Sequence, residues 1–218
     1  MWTYSPNMGG NGQQSIGGGA RMTRKRAERI RRVEETAARM FAERGYDRAN
    51  FDDIAGDLGL RGPSLYYYFA SKEEMFLACV EHSAADVMRR LERIARRAEP
   101  AGVRLRRLFA EQVLIEIRDY PAFAPLFFRV YVPVPRLRAR LAEIKRAHGD
   151  IIRTVAAECA AEAGRDMKAA RVALMAAFGA LAYVQEWYSS DGPMNAEELA
   201  DQLAATLVAP FLPEPSLG

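Results

Sequence analysis

The sequence has few cysteines and histidines, and this scarcity excludes several kinds of function. It contains two cysteines, Cys79 and Cys159, and two histidines, His82 and His148. Two cysteines in 218 residues do not form a disulfide framework, so the sequence predicts a protein of the reducing cytoplasm. Cys-x-x-Cys and His-Glu motifs are absent, which argues against zinc or triad chemistry. We therefore predict no enzyme activity, no metal and no cofactor.

Long apolar runs and targeting signals are also missing. The longest apolar run, Val172 to Val184, is too short to cross a bilayer and predicts a buried helix. The N-terminus is rich in Gly, Asn, Gln and Ser, and it does not resemble a signal peptide or a phosphate-binding loop. The sequence predicts a disordered tail over residues 1–22 and no association with a membrane.

Basic residues are concentrated near the N-terminus, although the net charge of the whole chain is only +3. Residues 21–32 hold seven Arg or Lys and one Glu, a net charge of +6 within three helical turns. One interpretation is a solvated basic face. The other is an electrostatic footprint for nucleic acid or anionic lipid.

Helical periodicity follows the basic segment almost to the C-terminus, and no stretch has the pattern of a strand. The fold class is therefore all-α. Asn50, Ser71 and Asn195 are in positions to cap helices, and Gly45 is in a position to end the first one. The predicted helices are 24–44, 51–58, 62–69, 71–98, 103–118, 121–130, 136–163, 167–189 and 196–210.

Two short helices joined by Gly59-Leu60-Arg61, after a longer amphipathic helix, form a helix-turn-helix pattern. Gly62 can cap the second short helix, with Pro63 at its first position. Helical residues are about 100° apart, so the three consecutive tyrosines cannot share a face. Tyr66 and Tyr67 should point outward. The residues expected in the core are Ile54, Ala55, Leu58, Leu60, Leu65, Tyr68 and Phe69.

The stretch FDDIAGDLGLRGPSLYYYFASKEEMF resembles the DNA-binding segment of the tetracycline-repressor (TetR) family, and the similarity extends over residues 24–80. The resemblance implies a homodimeric bacterial transcriptional regulator, usually a repressor, that a small ligand releases from a double-stranded DNA operator. It also implies a helix-turn-helix domain at 23–70 and a helical domain for ligand binding and dimerisation at 71–218.

The resemblance assigns Tyr66 and Lys72 to phosphate contacts and Tyr67 to the major groove. Arg61 can bind guanine with two hydrogen bonds or can clamp a phosphate, and both roles stay open. The basic residues 21–26 are expected to anchor phosphates or enter the minor groove. The predicted DNA-binding set is Arg24, Lys25, Asn50, Arg61, Gly62, Pro63, Ser64, Tyr66, Tyr67 and Lys72.

Two positions depart from the family pattern. Asn50 stands where a threonine is common, and Asp52 stands where a basic residue is frequent. A carboxylate does not favour a phosphate, so Asp52 either accepts from a cytosine amino group or pairs with a neighbouring arginine. This departure gives some support to a second hypothesis, in which the chain is a helical ligand sensor or interaction protein that no longer binds DNA.

The helices after residue 103 contain more large apolar residues than a small bundle needs, and the resemblance implies an effector pocket among them. The predicted pocket residues are Phe109, Val113, Ile117, Phe123, Phe127, Met175, Phe178 and Trp187. Small residues between 172 and 184 indicate either a dimer interface or a buried seam within one chain, and the predicted interface residues are Ala173, Ala176, Ala177 and Ala180.

The stretch WYSSDGPMNAEELADQL is similar to the C-terminal part of family members that sense acyl-CoA thioesters. An acyl-CoA is therefore one candidate among hydrophobic or amphipathic effectors. Four basic residues are candidates to meet a charged head group, and the alternative is a solvated helix face; they are Arg129, Arg136, Arg138 and Lys145.

Overall fold

The computed structural model describes residues 16–122 and 125–213, with side chains from residue 25 onward, and within these ranges every regular element is a helix. The α-helices are α1 (Ile16–Arg48), α2 (Phe51–Asp57), α3 (Lys72–Ala95), α4 (Ala101–Leu114), α5 (Pro135–Glu162), α6 (Met167–Ala182), α7 (Val184–Trp187) and α8 (Ala196–Val208). Two 3₁₀ segments, Gly62–Tyr67 and Ala209–Phe211, and two π-helical segments, Ile115–Asp119 and Pro125–Arg129, complete the set. The prediction of an all-α fold is confirmed.

The N-terminal unit consists of α1, α2 and the 3₁₀ segment Gly62–Tyr67, closed by the start of α3. Ile54, Ala55 and Leu65 are fully buried, while Leu58 and Leu60 are half-buried. Asn50 caps α2 by accepting from the Asp53 N–H over 2.8 Å, and Ser71 caps α3 by accepting from the Glu74 N–H over 3.1 Å. The predicted core of the helix-turn-helix and the predicted caps Asn50 and Ser71 are therefore confirmed.

The turn after α2 is a Schellman motif. Gly59 has φ +65°, a left-handed conformation that favours glycine. The Leu60 N–H donates to the Ala55 carbonyl over 2.8 Å, and the Gly59 N–H donates to the Gly56 carbonyl over 3.0 Å. These two bonds end α2 and turn the chain into the segment Gly62–Tyr67.

Two boundaries differ from the sequence-based expectation. Helix α1 begins at Ile16, so residues 16–22 are helical where a disordered tail is expected; residues 1–15 lie outside the described part. At Gly45, by contrast, the backbone leaves the helical conformation with φ +79° and ψ 166°, so the regular helix is interrupted where its end is predicted, and the chain continues across this kink to Arg48. The third element is a 3₁₀ helix whose N-cap is Arg61, so the expected capping by Gly62 is wrong.

In the body, α4 packs against α8, and α5 packs against both α3 and α4. Helix α3 contacts both α1 and the body, so it connects the two units. Asn195 and Glu198 form the predicted capping box of α8: Glu198 N–H donates to Asn195 Oδ1, and Asn195 N–H donates to Glu198 Oε2, each over 2.9 Å.

The predicted helix 103–118 ends in a π-helical turn. The Tyr120 N–H donates to the Ile115 carbonyl, five residues back, over 2.8 Å. The Val130 N–H reaches the Pro125 carbonyl in the same way over 3.0 Å. A π turn is wider than an α turn, so it rotates the side chains that follow it relative to α4.

Candidate DNA-binding surface, ligand cavity and dimer face

The aromatic side chains of the 3₁₀ segment divide between surface and core. Tyr66 is 62% exposed and Tyr67 is 74% exposed, whereas Phe69 is 5% exposed. Tyr68 is half-buried and packs edge-on against Tyr67, with the ring centroids 5.3 Å apart. The predicted division of these rings is confirmed as geometry, and the DNA contacts of Tyr66 and Tyr67 stay predictions.

Polar and basic side chains surround the two exposed tyrosines. Arg61, Pro63 and Ser64 are exposed at the start of the same segment, and the Arg61 guanidinium makes no hydrogen bond or ion pair within the described residues. The guanidinium of Arg26, on α1, lies 5.8 Å from the centre of the Tyr67 ring. The fold therefore brings α1 and the 3₁₀ segment to one surface that is rich in hydrogen-bond donors.

Asp52 does not pair with an arginine in the part of the chain that the structure describes. The neighbouring Asp53 instead accepts from Arg44 over 2.7 Å and from the Asn50 amide over 3.0 Å. A Cβ atom added at Gly62 would lie 1.8 Å from Asp52 Oδ1, so the buried glycine allows α2 to approach the 3₁₀ segment closely. The arginine-pairing alternative for Asp52 is therefore wrong in this structure.

Lys72 links the start of α3 to the end of α1. Its Nζ donates to the Asp47 carbonyl over 2.9 Å and lies 4.7 Å from the centre of the Tyr46 ring. Partial burial lowers the pKa of Lys72. Lys25 is exposed on α1, and the side chain of Arg24 lies outside the described residues.

A cavity of about 200 Å³ lies between α4, α5 and α6. Its apolar wall includes Phe128, Ile152, Phe178 and Leu181. The remaining lining residues are Gln112, Glu116, Lys145, His148, Gly149, Arg153 and Ala182. An apolar cavity with a few convergent polar groups is the usual form of a small-molecule site.

Three polar side chains at this cavity are almost completely buried: Gln112, Glu116 and His148 are 2%, 1% and 4% exposed. Gln112 Nε2 donates to Glu116 Oε1 over 2.7 Å, and Gln112 Oε1 lies 3.0 Å from His148 Nε2. Burial raises the pKa of Glu116 to about 8 and lowers the pKa of His148 to about 4. Both groups are therefore mainly uncharged at neutral pH.

The structure brings few of the predicted pocket residues to this cavity. Phe178 lines it, while Phe109, Val113 and Phe127 are buried in the surrounding core. Ile117 lines a separate shallow depression beside α7, and Met175 and Trp187 are exposed. These residues do not line this cavity, because size and aromaticity do not indicate which face of a helix meets its neighbour. Phe123 lies outside the described residues.

Three of the four basic head-group candidates are already engaged. Arg129 pairs with Glu186, Arg136 pairs with Glu73, and Arg138 donates to the carbonyls of residues 132 and 133. Lys145 differs, because its Nζ lies 5.9 Å from the ring centres of both Phe127 and Phe128 and it lines the cavity.

One face of α6 is apolar and uncovered. Val172 is 72% exposed and Met175 is 65% exposed, and Tyr183 lies beyond them on the same side of the helix. Among the predicted interface alanines, Ala176 is exposed and Ala173 and Ala180 are half-buried. Ala177 is buried within the chain, which at this position favours the alternative of a seam within one chain.

The sequence contains a signal for the three buried polar residues, although the predicted pocket does not include them. Leu105, Phe109, Gln112 and Glu116 follow one another at helical spacing, so the two polar residues continue the apolar stripe of α4. His148 interrupts the corresponding stripe of α5 between Ile144 and Ile152. Polar residues at core positions indicate a structural network or a binding site.

Within the described ranges, no group of His, Cys, Asp or Glu residues could hold a metal ion. A search of the same ranges for a helix long and apolar enough to span a bilayer also finds none.

Comparisons with known proteins match both units. Residues 35–79 match the family model described as bacterial regulatory proteins of the tetR family, and residues 98–210 match a tetracyclin repressor-like C-terminal domain. The transcriptional activator FasR of Mycolicibacterium smegmatis is 25% identical over 196 residues, which is 87% of each chain. The repressor KstR2 of Mycobacterium tuberculosis is 56% identical over 41 residues, which cover 19% of this chain and 20% of KstR2.

The solved structure of AibR in complex with isovaleryl coenzyme A and operator DNA shares this fold. It superposes with a TM-score of 0.73 at 22% identity, covering 84% of this chain and 100% of AibR. The two family models account for the helix-turn-helix and for most of the helical body. The chain therefore belongs to the TetR family of bacterial regulatory proteins.

Proposed function

We propose that this protein is a cytoplasmic, homodimeric transcriptional regulator that a hydrophobic or amphipathic small molecule releases from its operator. In this proposal residues 23–70 bind DNA, and residues 71–218 bind the ligand and form the dimer. The observation that carries the proposal is the exposure of Tyr66 and Tyr67 beside Arg61, which has no partner among the described residues. Large aromatic side chains left exposed beside free donors are typical of a binding surface.

The proposed DNA contacts combine backbone and base recognition. Tyr66, Lys72 and the basic turns of α1 contact phosphates, while Tyr67 and Arg61 enter the major groove, which is about 12 Å wide. The short polar start of the 3₁₀ segment, Gly62-Pro63-Ser64, lets the backbone approach the duplex. Asn50 contributes its amide N–H to a phosphate from the start of α2.

The apolar face of α6 supports the homodimer. Val172, Met175 and Tyr183 form an exposed apolar strip that a second copy of the same face would cover. The neighbouring Ala176 and Gly179 are small and exposed, so the two helices could approach closely. Regulators of two-fold symmetric operators place one recognition element in each half-site, which gives the dimer a direct use.

The cavity between α4, α5 and α6 supports the release by a ligand. Its position in the body, away from the 3₁₀ segment, makes the two sites distinct, so a ligand acts by favouring a conformation with lower DNA affinity. FasR is an activator and KstR2 is a repressor, and of these two roles the repressor is the usual one that the family resemblance implies. An acyl-CoA is one proposed effector, since AibR binds isovaleryl coenzyme A.

A mobility-shift titration tests DNA binding. The full chain is mixed with the promoter region next to its own gene at two salt concentrations, with an unrelated duplex of equal length as the control. We expect a specific retarded band that weakens at the higher salt, because phosphate contacts release counterions. The absence of a retarded band even at low salt would contradict the proposal.

A second candidate function is a helical ligand sensor without DNA binding. The observation that favours it is Asp52, an exposed carboxylate beside the start of the 3₁₀ segment with no cationic partner among the described side chains. The same titration with Asp52→Asn separates the regulator from the sensor. A retarded DNA band that appears only with the variant supports the sensor, because it shows that the Asp52 carboxylate prevents DNA binding in the unmodified protein.

A further inference from the structure

The buried polar side chains of the cavity form a chain of hydrogen bonds in which the donor and the acceptor of each bond are fixed. An amide donates only through its nitrogen, so Gln112 Nε2–H donates to Glu116 Oε1 and Gln112 Oε1 accepts from His148 Nε2–H. This order places the proton of the neutral imidazole on Nε2. Gln112 Nε2, Gln112 Oε1 and Glu116 Oε1 thereby each have a hydrogen-bond partner.

The second oxygen of Glu116 has no such partner. Glu116 Oε2 is buried and makes no hydrogen bond to any described residue, while the side chain lines the cavity. Because Oε1 accepts from Gln112, the proton of the neutral carboxyl group resides on Oε2. A buried O–H without an acceptor is unfavourable, and a ligand atom in the cavity can supply that acceptor.

Lys145 provides a positive charge at the same cavity. Its ammonium is half-buried, makes no ion pair within the described residues, and lies against the rings of Phe127 and Phe128. The other basic residue of the lining, Arg153, pairs with Asp150 over 2.7 Å. The lining therefore offers one unneutralised cation and one O–H donor, and it contains no ionised carboxylate that would attract a cationic ligand.

The size of the cavity limits the ligand. A cavity of about 150 Å³ lined by apolar residues holds benzene. The volume here is about 200 Å³, so a ligand held within the cavity has roughly seven to ten non-hydrogen atoms. Phe128, Phe178 and Leu181 present apolar surface to such a body.

We propose that this cavity binds a compact organic anion, in which a carboxylate group is carried by an aromatic or branched aliphatic body. The carboxylate accepts from the Lys145 ammonium and from the Glu116 O–H, and the body packs against the apolar wall. This inference rests on the proposed function, because it specifies the chemical class of the effector.

Isothermal titration calorimetry on the full chain tests the charge selectivity with three probes of equal size. Benzoate carries a negative charge, benzamide is neutral and benzamidine is positive. We expect benzoate to bind roughly tenfold to a hundredfold more tightly than benzamide, since hydrogen bonds between charged groups are the stronger ones. Benzamidine should not bind. Equal affinities, a preference for benzamidine, or no binding of benzoate at about 10 mM would overturn the proposal.

Benzoyl-coenzyme A separates a free acid from its thioester. The thioester carbonyl has no charge at the position of the carboxylate, so it should bind more weakly than benzoate in this cavity. A benzoyl-coenzyme A affinity above that of benzoate overturns the proposal and favours the acyl-CoA effector.

Two variants test whether Lys145 is responsible for the selectivity for benzoate. Lys145→Met should reduce benzoate affinity to that of benzamide, while Arg146→Met, which removes an exposed charge from the next position of α5, should leave it unchanged. Equal losses in both variants contradict a specific role of Lys145. If Lys145→Met loses its helical circular dichroism, the three-probe series on the unmodified protein still decides.

The result of the ligand titrations can be distinguished from the result of the DNA-binding test. Selective benzoate binding without a mobility shift would leave this inference intact and refute the regulator. A specific mobility shift without benzoate selectivity would do the opposite.

Discussion

Replacing Glu116 with glutamine should stabilise the protein increasingly as the pH rises. Burial raises the pKa of Glu116 to about 8 from an ordinary value of 4.5. Below pH 4.5 both the folded and the unfolded chain hold the proton. Between pH 4.5 and 8 only the folded chain holds it, so ionisation favours the unfolded state and stability falls as the pH rises. Glutamine has the shape of the neutral acid and does not titrate, so the variant lacks this loss.

The size of the effect follows from the two pKa values. Each pH unit between them corresponds to about 1.4 kcal/mol, and pH 7 lies about 2.5 units above the ordinary pKa, which gives about 3 kcal/mol at pH 7. At pH 5 the same reasoning gives less than about 1 kcal/mol. The amide nitrogen of the substituted side chain also lacks an acceptor in the empty cavity, and this adds an offset that does not depend on pH. The prediction is therefore tested by how the stability difference between Glu116→Gln and the unmodified protein changes with pH.

Charged and titratable groups from several elements face Glu116. Arg129 follows it along the chain and favours its ionised form, whereas His148 and Lys145 lie on α5 across the cavity. His148 has a pKa of about 4, and the pKa of Lys145 is lowered by burial from a high starting value. Glu116 is therefore the group at this site whose pKa falls nearest to the pH range of the assay.

Urea denaturation followed by circular dichroism, at one protein concentration and at several pH values from about 5 to 8, measures the difference. Glu35→Gln is the matched control, because Glu35 is an exposed carboxylate in a weak helical pair with Arg31. Its difference from the unmodified protein should stay nearly constant over this range. Parallel stability curves for Glu116→Gln and the unmodified protein would show that Glu116 does not resist ionisation, and the reasoning would be wrong.

Two further predictions concern the surface of the helix-turn-helix and the face of α6. Tyr67→Ala should weaken operator binding in a mobility-shift assay and leave the urea midpoint nearly unchanged. Phe69→Ala should instead cost roughly 3–5 kcal/mol of stability, because it removes a buried ring. Equal stability losses in both variants would contradict the division of the rings between surface and core. Met175→Glu should convert the proposed dimer to a monomer in sedimentation equilibrium, because it places a charge within the exposed apolar strip. Tyr131→Glu, at another exposed apolar position, should remain dimeric; dissociation of both variants, or of neither, would argue against an interface on α6.

The helix-turn-helix could be predicted from the sequence because its determinants are local. Asn50 and Ser71 cap helices through side chains that lie within three residues of their partners, and Gly59 ends α2 through its own left-handed conformation. Apolar spacing then identifies Ile54 and Leu65 as core. The 3₁₀ geometry of Gly62–Tyr67 was not predicted, since a six-residue segment has too few turns for its period to distinguish 3₁₀ from α.

The cavity could not be predicted in the same way. Whether Phe109 or Phe178 meets a void depends on how α4, α5 and α6 pack, and apolar spacing reports only that a face is buried. Met175 illustrates the opposite error, because an exposed apolar residue cannot be distinguished by its residue type from one that lines a pocket. Gln112, Glu116 and His148 were accessible in principle, since a polar residue within an apolar stripe needs a partner that the sequence does not name.

The π-helical turn Ile115–Asp119 has a consequence for the evolution of this chain. A π turn holds one residue more than an α-helical turn, so this segment is one residue longer than a regular helix over the same span. Deletion of one residue there would restore an α turn and rotate the following side chains by about 100°. Asp119 would then leave Arg90, and Tyr120 would leave Asp86, both on α3. Alignments with relatives should therefore place a single-residue gap within this turn wherever these two contacts to α3 are missing.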